Sequence, residues 1–143
     1  MVMVKKLLLI LVLFHIVSAC NNNDETDPSC ANIACTEEFR TLTVTIKDTN
    51  DIPVALDSFK VIAVVSGNDL TRETSSSELA LMQQNGTYPL FGDEYTNTYR
   101  NKEIEVQFRG FKNSQQIVTE NYVVAADCCH VFLVSGTTNL TIQ

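Results

Sequence analysis

The chain has 143 residues and a formal net charge of −7, from 17 acidic and 10 basic residues. This length fits one domain. The acidic balance, without a basic cluster, argues against recognition of nucleic acid, whose phosphates require Lys and Arg. It also argues against recognition of anionic lipid head groups.

The N-terminus, residues 1–19, predicts a signal peptide. Two lysines precede an apolar run from Leu7 to Val17. That run has the length of a signal-peptide core and is too short to span a bilayer as a permanent helix. It ends on the sequence VSAC, which resembles the lipobox of bacterial lipoproteins. The resemblance implies cleavage before Cys20, a diacylglycerol on the Cys20 thiol, and a membrane anchor made by the acyl chains.

The expected location follows from this anchor. The protein would lie on the bacterial outer membrane, at its periplasmic or cell-surface face. A secretory signal that happens to end near a cysteine is the alternative. Residues 20–34 are polar and without a period, so we expect a lipidated flexible spacer. Its acidic cluster, Asp24, Glu25 and Asp27, loosely resembles export signals of Bacteroidota surface lipoproteins and equally fits a solvated linker.

The remaining residues, 35–143, predict a mainly β domain. Alternating or continuous apolar segments occur at 39–48, 59–66, 87–91, 102–108, 115–126, 128–135 and 139–143. Turn residues separate them, and Gly110 is expected to end the fourth. Seven or eight short strands at this spacing are typical of a two-sheet antiparallel β-sandwich. We expect its core to include Val44, Ile104, Val106 and Leu133.

One stretch, residues 76–84, fits two patterns. Ser75 and Glu78 have the spacing of a capping box, and Gly86 follows as a helix-ending residue. Leu79 and Leu81 also alternate as in a strand. We predict one short helix here.

Several segments resemble carboxypeptidase-regulatory-like, or transthyretin-like, β-sandwich domains. In TVTIKDTNDIPVALDSFKVIAV an aliphatic strand ends at Asp48, and a turn leads through Pro53 to a second apolar strand. Asp51 stands where that family usually has glycine. NGTYPLF is similar to the family's G-x-Y-x-L segment, and IEVQFRGF to its closing strand. The ending DCCHVFLVSG looks like the tail of small Bacteroidota lipoproteins. The resemblance implies an Ig/transthyretin-like sandwich that braces a neighbour or binds, without catalysis.

Four cysteines follow the lipobox: Cys30, Cys35, Cys128 and Cys129. In an exported protein an even number of cysteines indicates structural disulfides. A bond between the adjacent Cys128 and Cys129 would strain its ring. We therefore predict Cys35–Cys129 and Cys30–Cys128, on the assumption that the adjacent pair opens a strand and that Cys129 faces inward.

The sequence Cys128-Cys129-His130 also allows a thiol redox or metal site. Its spacing fits zinc poorly, because adjacent strand residues face opposite ways. His130, the only histidine after the signal peptide, is in phase with Phe132 and Val134, which favours a packed or edge-exposed residue. Asp48, Asn50 and Asp51 fit an Asx-rich turn as well as a calcium loop.

No catalytic, cofactor-binding or metal site is predicted from these patterns. We expect a non-enzymatic binding or scaffolding module held on the membrane through Cys20. Its partner would be an envelope protein or an extracellular polymer, and no cofactor is expected. A thiol redox or metal-binding envelope protein that uses Cys128, Cys129 and His130 is the alternative.

Overall fold

A computed structural model describes residues 28–143. The predicted signal peptide, the Cys20 lipidation site and the acidic cluster of the spacer lie outside the described residues. A 3-10 turn occupies Pro28–Cys30. Residues Ile33–Gln143 form one compact unit, and the following description concerns that unit.

The unit contains two sheets and one α-helix. In chain order the elements are β1 (Thr41–Asp48), β2 (Ser58–Ala63), α1 (Ser76–Asn85), β3 (Thr87–Gly92), β4 (Lys102–Lys112), β5 (Gln115–Ala126), β6 (Val131–Ser135) and β7 (Asn139–Ile142). One sheet has the order β3-β1-β7 and the other the order β2-β4-β5-β6. The mainly β, two-sheet architecture with one helix is confirmed.

Apolar side chains from both sheets form the core. Val44 and Val106 are fully buried, while Ile104 and Leu133 are partly buried and pack against the core. An aromatic cluster of Phe59, Tyr88 and Phe108, with ring centroids 5.7–6.3 Å apart, links β2, β3 and β4. The strand phases predicted from alternation therefore hold, because one face of each strand had to be buried.

The direction of β7 differs from the antiparallel expectation. β7 pairs with β1 in parallel, from Thr45↔Asn139 to Asp48↔Ile142. Short hairpin loops force antiparallel pairing only on strands that follow each other in the chain. β1 and β7 are distant in sequence and β7 arrives from the opposite sheet, so no hairpin sets its direction.

Several strand boundaries also differ. β4 continues through Gly110 to Lys112, with a register shift between Gly110 and Phe111. The missing side chain of Gly110 leaves room for Leu56, since a Cβ at this position would lie 2.8 Å from the nearest Leu56 atom. β2 ends at Ala63 rather than at residue 66, where a turn diverts the chain.

The ambiguous stretch is a helix, as predicted. The Ser75 side chain accepts a hydrogen bond from the Glu78 backbone, and the Glu78 side chain accepts one from the Ser75 backbone. Gly86 ends the helix in the left-handed conformation, with φ 65°. The reciprocal capping box satisfies two N–H groups that would otherwise lack partners.

Candidate functional site

Residues 127–130 form a turn between β5 and β6. The apolar pattern of the sequence had predicted that a strand begins at Cys128. The Asp127 carboxylate accepts hydrogen bonds from the backbone N–H groups of Cys129 (2.7 Å) and His130 (2.8 Å). The Asp127 N–H donates to the His130 carbonyl at 3.0 Å. Asp side chains favour such turns because they bond to backbone two or three residues ahead. Cys128 and Cys129 thus lie in a turn, and the prediction that they open a strand is wrong.

The Cys35–Cys129 disulfide is present, with an S–S distance of 2.04 Å and Cα atoms 5.3 Å apart. This is the pairing that the sequence favoured, although the turn, not alternation along a strand, orients Cys129. Cys30 and Cys128 are disulfide-bonded as well. The assignment of Cys30 to Cys128 stays a prediction.

His130 is packed, with only 8% of its surface exposed. Its Nδ1 lies 2.8 Å from Asp93 Oδ2, and its Nε2 lies 2.9 Å from Thr36 Oγ1. An ionised carboxylate only accepts hydrogen bonds, so Nδ1 carries the proton and donates to Asp93. In the neutral imidazole Nε2 then accepts the hydroxyl proton of Thr36. Of the two environments expected for His130, packed or edge-exposed, the packed one is found.

Asp93 is the acceptor that holds this arrangement together. Its carboxylate also accepts the backbone N–H groups of Arg40 (2.7 Å) and Val131 (2.8 Å). Burial alone would raise the pKa of Asp93. The hydrogen bonds from His130, Arg40 and Val131 outweigh burial and hold this pKa below its ordinary value.

The pKa of Asp127 is lowered as well. The backbone hydrogen bonds of His130 and Cys129 are the main cause. They favour the ionised carboxylate, because only that form accepts both bonds without restriction. Both acidic groups beside His130 are therefore anionic at neutral pH.

We call this set of residues the junction: the Cys35–Cys129 disulfide with Thr36, Asp93, Asp127 and His130. It fastens the segment before β1 to the turn before β6 and to the end of β3. Thr36 and Asp93 were not identified from the sequence. They lie 94 and 37 residues from His130, and no local pattern marks either of them.

The junction has the connectivity of a catalytic triad: hydroxyl, imidazole, carboxylate. A triad also needs a substrate cavity and oxyanion donors beside the hydroxyl. Among the described residues, open cavities of about 440 and 520 Å³ are lined by other side chains, and neither of these two includes Thr36 or His130. The same groups also fit a purely structural role, because the hydrogen bonds of His130 with Thr36 and with Asp93 join chain segments that are distant in sequence.

The acidic residues of the turn after β1, Asp48 and Asp51, have roles in the turn itself. Asp48 Oδ1 accepts the N–H groups of Asn50 (2.7 Å) and Ile52 (3.0 Å), and these bonds lower the pKa of Asp48. Asp51 has φ 63°, the left-handed conformation that glycine favours. The Asx-rich turn therefore accounts for these residues.

The described residues, 28–143, contain neither a metal-binding cluster nor a membrane-spanning helix. No group of three or more His, Cys, Asp or Glu side chains there is arranged to hold a metal ion. No helix in this part of the chain is both long and apolar enough to cross a membrane.

Comparisons with known proteins gave no relative. No protein-family model, curated protein or solved structure matches the chain. The resemblances to bacterial lipoproteins and to carboxypeptidase-regulatory-like domains therefore stay predictions.

Proposed function

We propose that the chain is a lipid-anchored protein of the bacterial outer membrane that acts as a non-enzymatic binding or scaffolding module. The observation that supports this most is the junction. It bonds Cys35 and Thr36, the start of the domain, to the turn that precedes β6. A domain anchored through Cys20 would be pulled at its first segment, and the disulfides of Cys30 and Cys35 resist detachment of that segment.

The disulfides support an exported location. Such bonds persist in the periplasm and on cell surfaces, while cytosolic thiols are kept reduced. The described cysteines, Cys30, Cys35, Cys128 and Cys129, are all disulfide-bonded. An oxidising compartment is also where a cleaved lipoprotein signal would deliver the chain.

The same geometry makes the thiol redox or metal-binding alternative less favourable. Thiol chemistry and thiolate ligation both need a free thiolate, and here the sulfurs are bonded. Both ring nitrogens of His130 are engaged, by Asp93 and by Thr36. A metal at His130 would have to displace one of these partners.

The anchor is tested by fractionation of cells that express the Cys20→Ala variant. We expect an uncut precursor, or protein released from membranes, because the acyl acceptor is gone. Ser18→Ala is the matched control: it keeps a small residue before Cys20 and should be processed normally. If the Cys20→Ala protein remains in the membrane fraction at the processed size, the lipoprotein proposal is wrong.

The absence of catalysis is tested with an activated ester, p-nitrophenyl acetate. We expect the purified wild type and Thr36→Val to hydrolyse it at the same background rate. Thr36→Val keeps the side-chain shape and removes the hydroxyl. A wild-type rate well above background that falls at least tenfold in Thr36→Val, with the fold retained by circular dichroism, would identify a hydrolase and contradict the proposal.

A further inference from the structure

The beginning of β4 has an open edge. β2 pairs with β4 as far as Val64, whose N–H donates to the Glu105 carbonyl at 2.9 Å. The chain then turns back through Gly67, which has φ 73° and donates its N–H to the Ala63 carbonyl. Among the described residues no strand continues alongside residues 102–104 on this side.

The returning segment explains why the edge stays open. Asn68 and Leu70 run along the outer edge of β2, where the Ala63 N–H donates to the Asn68 carbonyl (2.9 Å) and the Leu70 N–H to the Val61 carbonyl (2.7 Å). The residues that follow Val64 thus pair with the outer edge of β2 and do not continue along the start of β4.

The backbone of Glu103 faces this opening. In an antiparallel pair the residues that exchange hydrogen bonds with a given neighbour alternate along the strand. Glu105 bonds toward β2, and the only register shift between β4 and β5 lies much further along, at Gly110. The N–H and C=O of Glu103 therefore also point to the β2 side, past the residue where β2 turns away.

A cavity of about 520 Å³ occupies the opening. Its apolar wall and its acidic residues come from Ala63, Val65, Tyr99, Ile104, Glu103 and Glu105. Val65 is 94% exposed at the tip of the turn. This exposed β-branched side chain lies beside the cavity and is available for apolar contact with a bound molecule.

The charge at the opening is negative. Glu103 and Glu105 lie on the same face of β4 because side chains alternate along a strand. Glu105 Oε1 accepts a hydrogen bond from Asn121 Nδ2 at 3.0 Å, which fixes its position on the sheet. Lys102 belongs to the opposite face of the strand. The complementary ligand therefore carries positive charge.

We propose that this opening binds an extended peptide segment of a protein partner, with alternating apolar and basic residues. The peptide backbone pairs with the N–H and C=O of Glu103 as an added strand. Its apolar side chains enter the cavity beside Val65 and Ile104, and its Lys or Arg side chains meet Glu103 and Glu105. This mode of recognition combines backbone hydrogen bonds with pockets for alternate side chains.

The inference rests on the proposed binding function and narrows its partner to a protein. The backbone N–H and C=O of Glu103 at the strand edge can pair with another strand. Ile104, in the apolar wall of the cavity, lies on one face of β4 and the two glutamates on the other, so the successive side chains of an extended peptide would face them in turn. A neutral or acidic polysaccharide would satisfy neither the strand geometry nor the negative charge.

The test uses the purified full-length protein and a fluorescein-labelled hexapeptide of alternating valine and lysine, followed by fluorescence anisotropy. We expect saturable binding. The double variant Glu103→Gln/Glu105→Gln should weaken it at least tenfold. The matched control Glu37→Gln/Glu73→Gln removes the same charge at exposed sites elsewhere and should stay within twofold of wild type. Val65→Ser, at a fully accessible position, should weaken binding without unfolding the protein.

Backbone pairing is tested separately with the same peptide N-methylated at the backbone nitrogens of its lysines. In a strand added antiparallel, as β2 is, a lysine on the face of Glu103 directs its N–H toward Glu103, so this peptide should bind at least fivefold more weakly. Equal affinity of the methylated peptide, equal losses in the control variant, or no binding by wild type would each overturn the inference. Displacement of the peptide by a neutral oligosaccharide would assign the opening to a polymer instead. None of these outcomes affects the anchor test, in which Cys20→Ala alone decides membrane attachment.

Discussion

At the scale of single residues, His130 shows what sequence can and cannot reveal. It is the only histidine after the predicted signal peptide and lies beside two cysteines, and a packed environment was one of the two expected for it. Its partners, Asp93 and Thr36, could not be identified because they reach it through the tertiary fold. Hydrogen bonds between residues so far apart leave no local periodicity or spacing.

The Asp93→Asn substitution tests how much the hydrogen bonds of Asp93 in the junction stabilise the fold. Asp93 accepts three hydrogen bonds, and an amide in its place offers one oxygen and turns an N–H₂ group toward a donor. We expect the free energy of unfolding to fall by about 1–3 kcal/mol, the usual cost of a buried polar group left without its partner. Urea denaturation at pH 7 measures this. Glu94→Gln, on an exposed neighbour, should change stability by less than about 0.5 kcal/mol.

The same variant has a predicted pH dependence. The pKa of Asp93 is lower in the folded state than its ordinary value of 3.8. As pH falls below about 4, the unfolded carboxyl takes up a proton first, so the unfolded state gains stability relative to the folded one. The contribution of Asp93 is complete above that pH and is lost as pH falls through the folded pKa. Asp93→Asn should therefore show a shallower acid loss than wild type, and parallel profiles would contradict this.

At the scale of elements, α1 was predictable because its signals are local. The capping box of Ser75 and Glu78 and the terminal Gly86 lie within the helix and its flanks. The start of β6 was not predictable, since the apolar run that includes Cys128 and Cys129 looks like a strand. The Asp127 carboxylate competes for the backbone N–H groups there and forms a turn instead.

Gly86 connects α1 to β3, and its surroundings predict the effect of a substitution on stability. A Cβ on Gly86 would lie 2.5 Å from the Ile46 carbonyl oxygen, and the residue has positive φ. Gly86→Ala should lower the free energy of unfolding by at least about 2 kcal/mol, from the left-handed conformation and the backbone clash together. The clash adds to the conformational cost because backbone atoms of β1 cannot move aside as a flexible side chain would.

Gly67→Ala is the matched control for that experiment. Gly67 also has positive φ, 73°, but a Cβ there meets nothing within 4 Å. It should cost only the conformational part, about 1 kcal/mol. Equal losses for the two variants in urea denaturation would show that the contact with Ile46 contributes nothing.

At the scale of the whole molecule, the strand pattern predicted two sheets but not their complete pairing. Alternation identifies which face of a strand is buried, and it says little about which strand lies next to it. The chain crosses from the sheet of β6 to the other sheet, where β7 pairs with β1 in parallel. This pairing depends on which sheet edge is still unpaired. The Cys35–Cys129 disulfide was easier to predict, because four cysteines with two adjacent ones leave few unstrained pairings. The choice of Cys129 over Cys128 nevertheless rested on a strand where the structure has a turn.

The Cys35→Ala/Cys129→Ala double variant tests how much the junction bond stabilises the domain. The bond closes a loop with a sequence separation of 94, and as a single cross-link it would stabilise the folded state by about 4–5 kcal/mol in the chain-entropy model. With the predicted Cys30–Cys128 bond in place, the variant opens only the small ring of about eight residues between the two bonds. We therefore expect urea denaturation to show a loss of about 2–3 kcal/mol. Cys30 and Cys128 stay bonded in this variant, so complete reduction of the wild type should cost more. Cys20 is intact, so attachment through the proposed lipid anchor should be unchanged.

A loss below about 1 kcal/mol would mean that the Cys35–Cys129 bond adds little to the stability of the domain. The hydrogen bonds of His130 and Asp93, together with the disulfides of Cys30 and Cys128, would then hold the first segment without it.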